Sequence, residues 1–396
     1  MSPFAVASWG ATLLIVLTAF SVRGRFYAIF AAVLLTVQTL LATSIAPRFE
    51  ALLPALAVLQ ATVFVHFGSL IWARMRPLVW RALITVPASW FFAGTFLSFP
   101  IVIAGAAGAA VPLWAFAVPY ALATIGLVQS LTARRDIIDV VLPETTVGAL
   151  ARHHAGSFRT DRPLRLVQIT DPHLGPFMSE ARLRGIAERA AAHDPDLVLL
   201  TGDFLTMESH GAEDALARAL QPLLPFAGRT FACRGNHDHE APQTVARGLE
   251  RAGVRLLIDE SATVDTPAGR VQVLGLDFAF GERAERHGAA CAQSPREAGA
   301  MRLVLLHDPG AFHHLPENDA DLVLSGHTHG GQLGLVALGL TWTVVSALTS
   351  IPDHGLWARG KSLLYVHRGT GHYGFPLRIG VPAEESVLHV HLRAGA

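Results

Sequence analysis

Residues 164–175 read Leu-Arg-Leu-Val-Gln-Ile-Thr-Asp-Pro-His-Leu-Gly, and residues 197–203 read Leu-Val-Leu-Leu-Thr-Gly-Asp. Each is a short apolar run that stops on residues able to bind or catalyse. Apolar runs of this length bounded by turn formers mark buried strands, and the pattern returns at 229–233, 270–276, 302–306 and 320–325. Amphipathic helix patterns lie between several of them, at 179–193, 212–224 and 242–252. Strand and helix in alternation predict an α/β layered domain. Two late runs, 363–367 and 386–392, read as strands of a second sheet. Open α/β sheets bind ligands beyond the carboxyl ends of their strands, and polar clusters occupy those places: Asp171 and His173, Gly202 and Asp203, Gly235 to Asp238, His307, and Gly326 to His329.

Toward the N-terminus the character changes. The chain of 396 residues is 51% hydrophobic and only 16% charged, well below the soluble average of roughly a quarter. A bilayer core of ~30 Å needs about 20 apolar residues in a helix, and charge-free runs occupy 4–22, 26–47, 51–72 and 82–133. The last is about twice the length of one span, with Pro100, Gly105, Gly108 and Pro112 near its middle, so it should fold as two. Five transmembrane helices are expected, with four as the alternative. Arg23 and Arg25, then Arg74, Arg76 and Arg81, then Arg134 and Arg135 follow the first, third and fifth spans. Positive charge stays in the cytoplasm, which places the N-terminus outside and the residues after 136 at the cytoplasmic face of the cell membrane.

The first run lacks a basic leader and meets arginines where a cleavage site would stand, so it reads as a span and not as a cleaved signal peptide. No Asp, Glu, Lys or Arg lies within the spans, which argues for an anchor and against a transporter. Gln38 and His66 read as satisfied helix contacts. The expected organisation is a transmembrane helical domain over 1–136, a linker over 137–162 and the α/β domain over 163–396.

A formal charge of +0 with no basic run gives no footprint for a nucleic acid. Cys233 and Cys291 are too few for a disulfide framework or a thiolate metal site. Of 19 histidines, 18 lie at or beyond His153, a skew that favours metal chemistry in the second half. Two divalent ions ~3.5 to 4 Å apart need a shared anionic bridge. Carboxylate, amide and imidazole donors without thiolate suit manganese, iron or zinc better than calcium or copper. Gly202, Gly235 and Gly326, each preceding a candidate ligand, permit the tight turns such a cavity needs.

Taken in order, Asp171-Pro172-His173, Gly202-Asp203, Gly235-Asn236-His237-Asp238, His307 and Gly326-His327-Thr328-His329 resemble the five-part signature of calcineurin-like metallophosphoesterases. No ligand is missing. ITDPHLG at 169–175, SGHTHGGQ at 325–332 and LYVHRG at 364–369 are similar to the membrane-associated bacterial phosphodiesterases of that family, and the likeness spans 164–392. The resemblance implies an αββα-type fold and two divalent ions. One would be held by Asp171, His173, Asp203 and His329, the other by Asp203, Asn236, His307 and His327, with Asp203 as the bridge. It also implies attack by a metal-bridging hydroxide on a phosphodiester or pyrophosphate. His237 would protonate the leaving oxygen, with Asp238 orienting its ring.

His193, His210, His239, His313 and His314 read as solvated or core-satisfied, and Arg234 and Arg368 as ion-paired residues more than phosphate ligands. Residues 333–352 carry no charge and have two readings: a core element of the domain, or an apolar lid admitting a lipid-linked substrate. A phosphomonoesterase or nucleotidase, and a non-catalytic membrane receptor keeping the fold, remain alternatives. The oligomeric state is not legible.

Overall fold

The computed structural model describes residues 1–143, 147–154 and 156–391. The chain forms two compact units, one comprising Met1–Leu131 with Tyr373–Ile379, the other Thr132–His372 with Gly380–Ala396.

The first unit is helical. Four helices are long and apolar enough to cross a membrane: Pro3–Arg23, Arg25–Arg48, Glu50–Ser69 and Leu113–Leu131. Leu78–Leu97 and Phe99–Ala106 form a pair bent by 41°, which makes a fifth crossing if the two count as one span. The bend has a local cause. Pro100 removes a backbone donor from the helical ladder, and the Ser98 hydroxyl bonds the Gly94 carbonyl at 2.8 Å on the other side of the break. Polar side chains meet between helices: Thr12 and Thr39 share a 2.8 Å bond, and the Gln38 amide donates to Gln60 at 3.1 Å. Gln38 Oε1, Gln60 Nε2 and His66 Nδ1 are nonetheless buried without a partner among the described residues, so Gln38 and His66 are not the fully satisfied contacts expected. Phe375, Leu377 and Ile379, from a range expected to be wholly catalytic, pack here against Trp90, Ala93, Ala123 and Leu127.

The second unit holds thirteen strands among the described residues. They are β1 (Ala133–Val141), β2 (Val147–Arg152), β3 (Leu164–Ile169), β4 (Leu197–Thr201), β5 (Thr230–Cys233), β6 (Arg255–Leu256) and β7 (Glu260–Thr266), followed by β8 (Gly269–Leu276), β9 (Met301–Leu306), β10 (Leu322–Ser325), β11 (Gly355–Gly360), β12 (Ser362–Val366) and β13 (Ala383–His391). One sheet has the order β1-β13-β3-β4-β5-β6, the other β2-β11-β12-β10-β9-β8-β7. Strands β3 to β6 run parallel, as do β8, β9, β10 and β12. Parallel strands covered on both faces read as unbroken apolar runs, and every residue of β4 and β9 is buried.

Side chains alternate between faces with a period of two. Leu303 and Leu305 point into a core shared with Leu166, Leu199, Phe231 and Leu324 of both sheets. Val304 and Leu306 point the other way, onto Ala290 and Cys291 of the helix Arg283–Gln293. The helix Glu180–Ala192, capped by the Ser179 hydroxyl accepting from the Arg182 amide at 3.1 Å, turns Leu183, Ile186 and Ala187 inward. The layers are therefore those of the expected αββα-type fold.

Most strands and helices foreseen in the sequence form within a residue or two, but the helix over 212–224 becomes 3-10 after Leu220. The last strand begins earlier, at Ala383, and pairs with β3 in the first sheet and not in a second one, while its predicted end, Leu392, lies outside the described residues. The stretch 137–162 is a different matter. Expected as linker, it supplies part of β1, which pairs in parallel with β13, and all of β2, which pairs with β11. β1 is broken by Asp136 and Asp139, and β2 carries the small residues Gly148, Ala149 and Ala151, so neither shows the apolar run by which a buried strand is recognised. The charges on the edge strand β1 resist pairing with other chains. Residues 333–352 hold only a 3-10 turn at Val336–Leu338 and the short helix Val344–Leu348. Most of their large apolar side chains are exposed, which overturns the core reading.

Candidate metal centre

The loops after β3, β4, β5, β9 and β10 meet at the carboxyl ends of the two sheets. Backbone bonds stitch them together: the Asp171 amide donates to the Gly202 carbonyl, His173 to Asp203, and Gly326 to His307, at 3.0, 3.1 and 3.0 Å. Between the sheets, the Gln168 amide donates to Thr201 Oγ1 and to the Ser325 carbonyl at 2.8 and 3.0 Å. The turns are tight enough that Asp171, His173, Asp203, His327 and His329 all have φ between 46° and 67°. Such left-handed backbone in non-glycine residues persists only where the surroundings impose it, and it gathers at functional sites. Two glycines are required by close approach. A Cβ on Gly235 would lie 2.2 Å from Asp203 Oδ1, and one on Gly326 2.1 Å from Asp171 Oδ2.

These turns bring the predicted ligands into two groups, Asp171 with His173 and His329, and Asp203 with His307 and His327. Asp203 Oδ2 lies between them, 3.5 Å from His173 Nε2 and 3.3 Å from His307 Nε2. Within each group two ring nitrogens face each other at 3.2 Å, His173 with His329 and His327 with His307. Nitrogens bound tetrahedrally to one ion at ~2.0 to 2.1 Å stand ~3.3 Å apart, so this spacing suits a shared cation. His307 Nδ1 lies 2.6 Å from the Thr201 carbonyl, a bond that fixes the ring and leaves Nε2 for the cavity. Asn236 Oδ1 is buried and has no hydrogen-bond partner among the described residues. A buried amide oxygen without a donor is costly, and a cation would satisfy it.

Electrostatics make the same case. Burial pushes the Asp171 carboxyl up to about 6, and the Asp203 charge adds to this. Burial also resists ionisation of Asp203, but the charge and hydrogen bond of His307 outweigh it and hold Asp203 well below the carboxylate range. Burial works against a charged His307, yet the two carboxylates raise it to about 10. His173 and His327 are driven down by burial, to about 3 and about 4. Without cations, the buried carboxylates favour a charged His307. Two divalent ions would allow every carboxylate to ionise and every imidazole to be neutral, the states that metal ligation requires.

The turn carrying His237 departs from expectation. Asp238 does not reach the ring: its Oδ2 accepts from the Asp203 and Gly235 amides at 2.8 Å each, and its Oδ1 from Phe204 at 2.9 Å. It clamps two ligand loops together, and burial with the Asp203 charge raises it to about 7. The group beside the ring is Glu240, whose Oε1 lies 2.7 Å from His237 Nδ1. Burial opposes a charged His237, but this bond and the Asp203 charge prevail and raise its pKa. The signal for Glu240 was an acid three residues beyond His237, one 3-10 turn later.

The remaining histidines stay outside the centre. His193 and His313 are exposed, His210 lies 3.5 Å from Glu240, and His239 is 3.1 Å from Asp277. Arg234 makes a two-pronged pair with Asp277, and Arg368 pairs with Glu384 and Asp136, so both serve structural ion pairs.

Comparison with known proteins agrees with this geometry. The calcineurin-like phosphoesterase family matches residues 164–331. Phosphodiesterase YaeI of Escherichia coli K12 is 30% identical over 249 residues, covering 61% of this chain and 87% of its own length. UDP-2,3-diacylglucosamine pyrophosphatase LpxG of Chlamydia muridarum is 28% identical over 264 residues, covering 52% and 78%. A transmembrane protein with a metallophosphoesterase domain from Danio rerio is 29% identical over 233 residues, covering 56% and 52%. With its ligand groups converged at the strand ends and a relative of this identity and coverage, the chain belongs to the calcineurin-like phosphoesterase family and is a hydrolase of phosphate esters.

Proposed function

We propose that this protein is a membrane-anchored, dinuclear phosphoesterase that cleaves a phosphodiester or pyrophosphate bond of a lipid-linked substrate at the cytoplasmic face. One observation carries the dinuclear reading: Asp203 Oδ2 stands within 3.5 Å of a histidine from each ligand group. Manganese, iron or zinc suits the donors, held on one side by Asp171, His173, Asp203 and His329 and on the other by Asp203, Asn236, His307 and His327. Such a pair of cations supplies an acidified water as nucleophile and neutralises the phosphoryl oxygens.

The chain's own residues do the rest. Asp238 and the positive-φ turns hold the donors in place. His237, its Nδ1 held by Glu240 at 2.7 Å, would donate a proton to the leaving oxygen. The complete ligand set and this His–acid pair favour an enzyme over a receptor that merely keeps the fold. The lipid-linked substrate rests on two supports: apolar helices in the same chain, and a relative whose name gives a diacylated sugar nucleotide as its substrate. Sidedness rests on the seven arginines that flank alternate spans.

The test is hydrolysis of bis(p-nitrophenyl) phosphate against p-nitrophenyl phosphate by the intact protein loaded with manganese, with Asp203→Asn as blank. The diester should turn over faster. A preference for the monoester overturns the diesterase reading, and absence of bound transition metal overturns the dinuclear one.

A further inference from the structure

Residues 333–352 follow the His327–His329 loop without a single charge. Leu338 is 74% exposed, Leu340 52%, Trp342 48% and Leu348 78%. Contiguous exposed apolar surface of this kind marks an interaction site. The segment is also ordered at its base. The Val344 amide donates to the Leu333 carbonyl and Leu335 to Trp342, both at 2.9 Å, and buried Thr343 bonds the Asp353 carboxylate at 2.5 Å.

The turn above that base is ordered as well. The amides of Leu335, Ala337, Leu338, Gly339 and Leu340 all donate to backbone carbonyls of the same domain, at 2.8 to 3.3 Å. These bonds hold the hairpin in one shape with Leu338 and Leu340 turned outward, so the exposed apolar surface is a built feature of the domain. We propose that this apolar hairpin dips into the lipid leaflet beside the candidate metal centre, so that acyl chains of a bilayer-borne substrate reach the centre without crossing water.

Three observations favour lipid over a protein partner. Protein interfaces carry a polar and often charged rim, and 333–352 has no charge at all. A tryptophan at the edge of the patch fits the headgroup level of a bilayer. The chain passes from the last apolar helix at Leu131 to β1 at Ala133 with one residue between, so this domain is tethered to whatever membrane the helices occupy. The inference rests on the membrane-anchored reading above and deepens it.

The experiment needs no catalysis. Leu338→Cys and Leu348→Cys, with Lys361→Cys as a water-exposed control, are spin-labelled in the full-length protein. The native Cys233 and Cys291 are buried and free. Samples are reconstituted in nanodiscs of phosphatidylethanolamine and phosphatidylglycerol. Labels at 338 and 348 should collide with oxygen more often than with a water-soluble nickel chelate, and the label at 361 the reverse. Labels at 338 and 348 as wet as the control, or shielded from both reagents by a protein surface, overturn the proposal.

In a second arm, Leu338→Asp with Leu348→Asp should cut turnover of a vesicle-borne p-nitrophenyl ester of dioleoyl phosphatidic acid at least tenfold, and leave that of soluble bis(p-nitrophenyl) phosphate unchanged. Equal turnover of the acylated diester overturns the access role. Lipid-exposed labels on a protein that hydrolyses neither diester would count against the proposed function alone.

Discussion

In the helix Pro3–Arg23, Leu13, Leu14, Leu17 and Phe20 face outward while Ala5, Ser8, Thr12 and Ala19 pack inward; in the phosphoesterase domain Leu197, Leu199, Leu303 and Leu305 are wholly enclosed. The two regions place their large apolar side chains in opposite ways. Where lipid surrounds a helix, large apolar side chains gain nothing by turning inward, and small residues let backbones approach. Where water surrounds a sheet, burial of each large aliphatic side chain is worth ~1.5 to 3 kcal/mol. Residues 335–351 are the stretch of the second region that follows the rule of the first.

The sharpest break in the comparison lies at the centre, where polar groups are buried deliberately. Asp203→Asn removes the shared carboxylate and should lower diester turnover by more than ~100-fold, exceeding the cost of losing an outer-shell partner. Metal analysis should show the loss of ions alongside; a variant with full activity and full occupancy would refute the bridge. His237→Ala should lower turnover by ~10² to 10⁴-fold while metal content holds. Glu240→Gln should give a smaller loss and shift the leaving-group dependence, since the ring loses its anchor. If Asp238→Asn shifts that dependence instead, the assignment of Glu240 is wrong.

Chelation separates the regions thermally. A ligand at ~1,000 times its Kd stabilises by about 4 kcal/mol, so removing the ions should lower the melting temperature of the phosphoesterase domain by roughly 10 °C. The helical region should not respond. Calorimetry in detergent with and without chelator reads both transitions.

Packing supplies a smaller effect. Leu303→Ala should cost ~2 to 5 kcal/mol, while Leu17→Ala, on the outward face of its helix, should stay within ~0.5 kcal/mol. A large effect at Leu17 would mean that protein, not lipid, covers that face.

The smallest prediction concerns pH. Burial raises the cost of ionising Asp353, but bonds from His354 and Thr343 and the Arg152 charge outweigh it and depress its pKa below 3.8. Its stabilisation is therefore present above pH 3.8 and lost as pH falls through the folded value. Asp353→Asn should flatten the acid limb of the unfolding curve, and an unchanged limb would show that Asp353 does not carry it.

Much of this molecule is legible in its sequence because the signals are local. Charge-free stretches of ~20 residues state their solvent without reference to anything else. Strands β3, β4, β5, β9 and β10 show as apolar runs, and each ends on a residue that the fold carries to the centre. Edge strands are different. β1 holds Arg134, Arg135, Asp136 and Asp139, and only its pairing with β13 makes it a strand.

The site divides in the same way. Residue types and their order along the chain marked a site, and the resemblance of those motifs to the calcineurin-like signature implied the seven candidate ligands. Which acid attends His237 was not disclosed. Asp238 is adjacent in sequence, yet the turn aims its carboxylate at three backbone amides and leaves Glu240 beside the ring. The exposure of 335–351 was equally hidden, since an apolar run reads the same whether a core or a bilayer receives it. Local composition sets what a segment can be, but side-chain direction and burial depend on contacts far along the chain, and only the folded structure decides them.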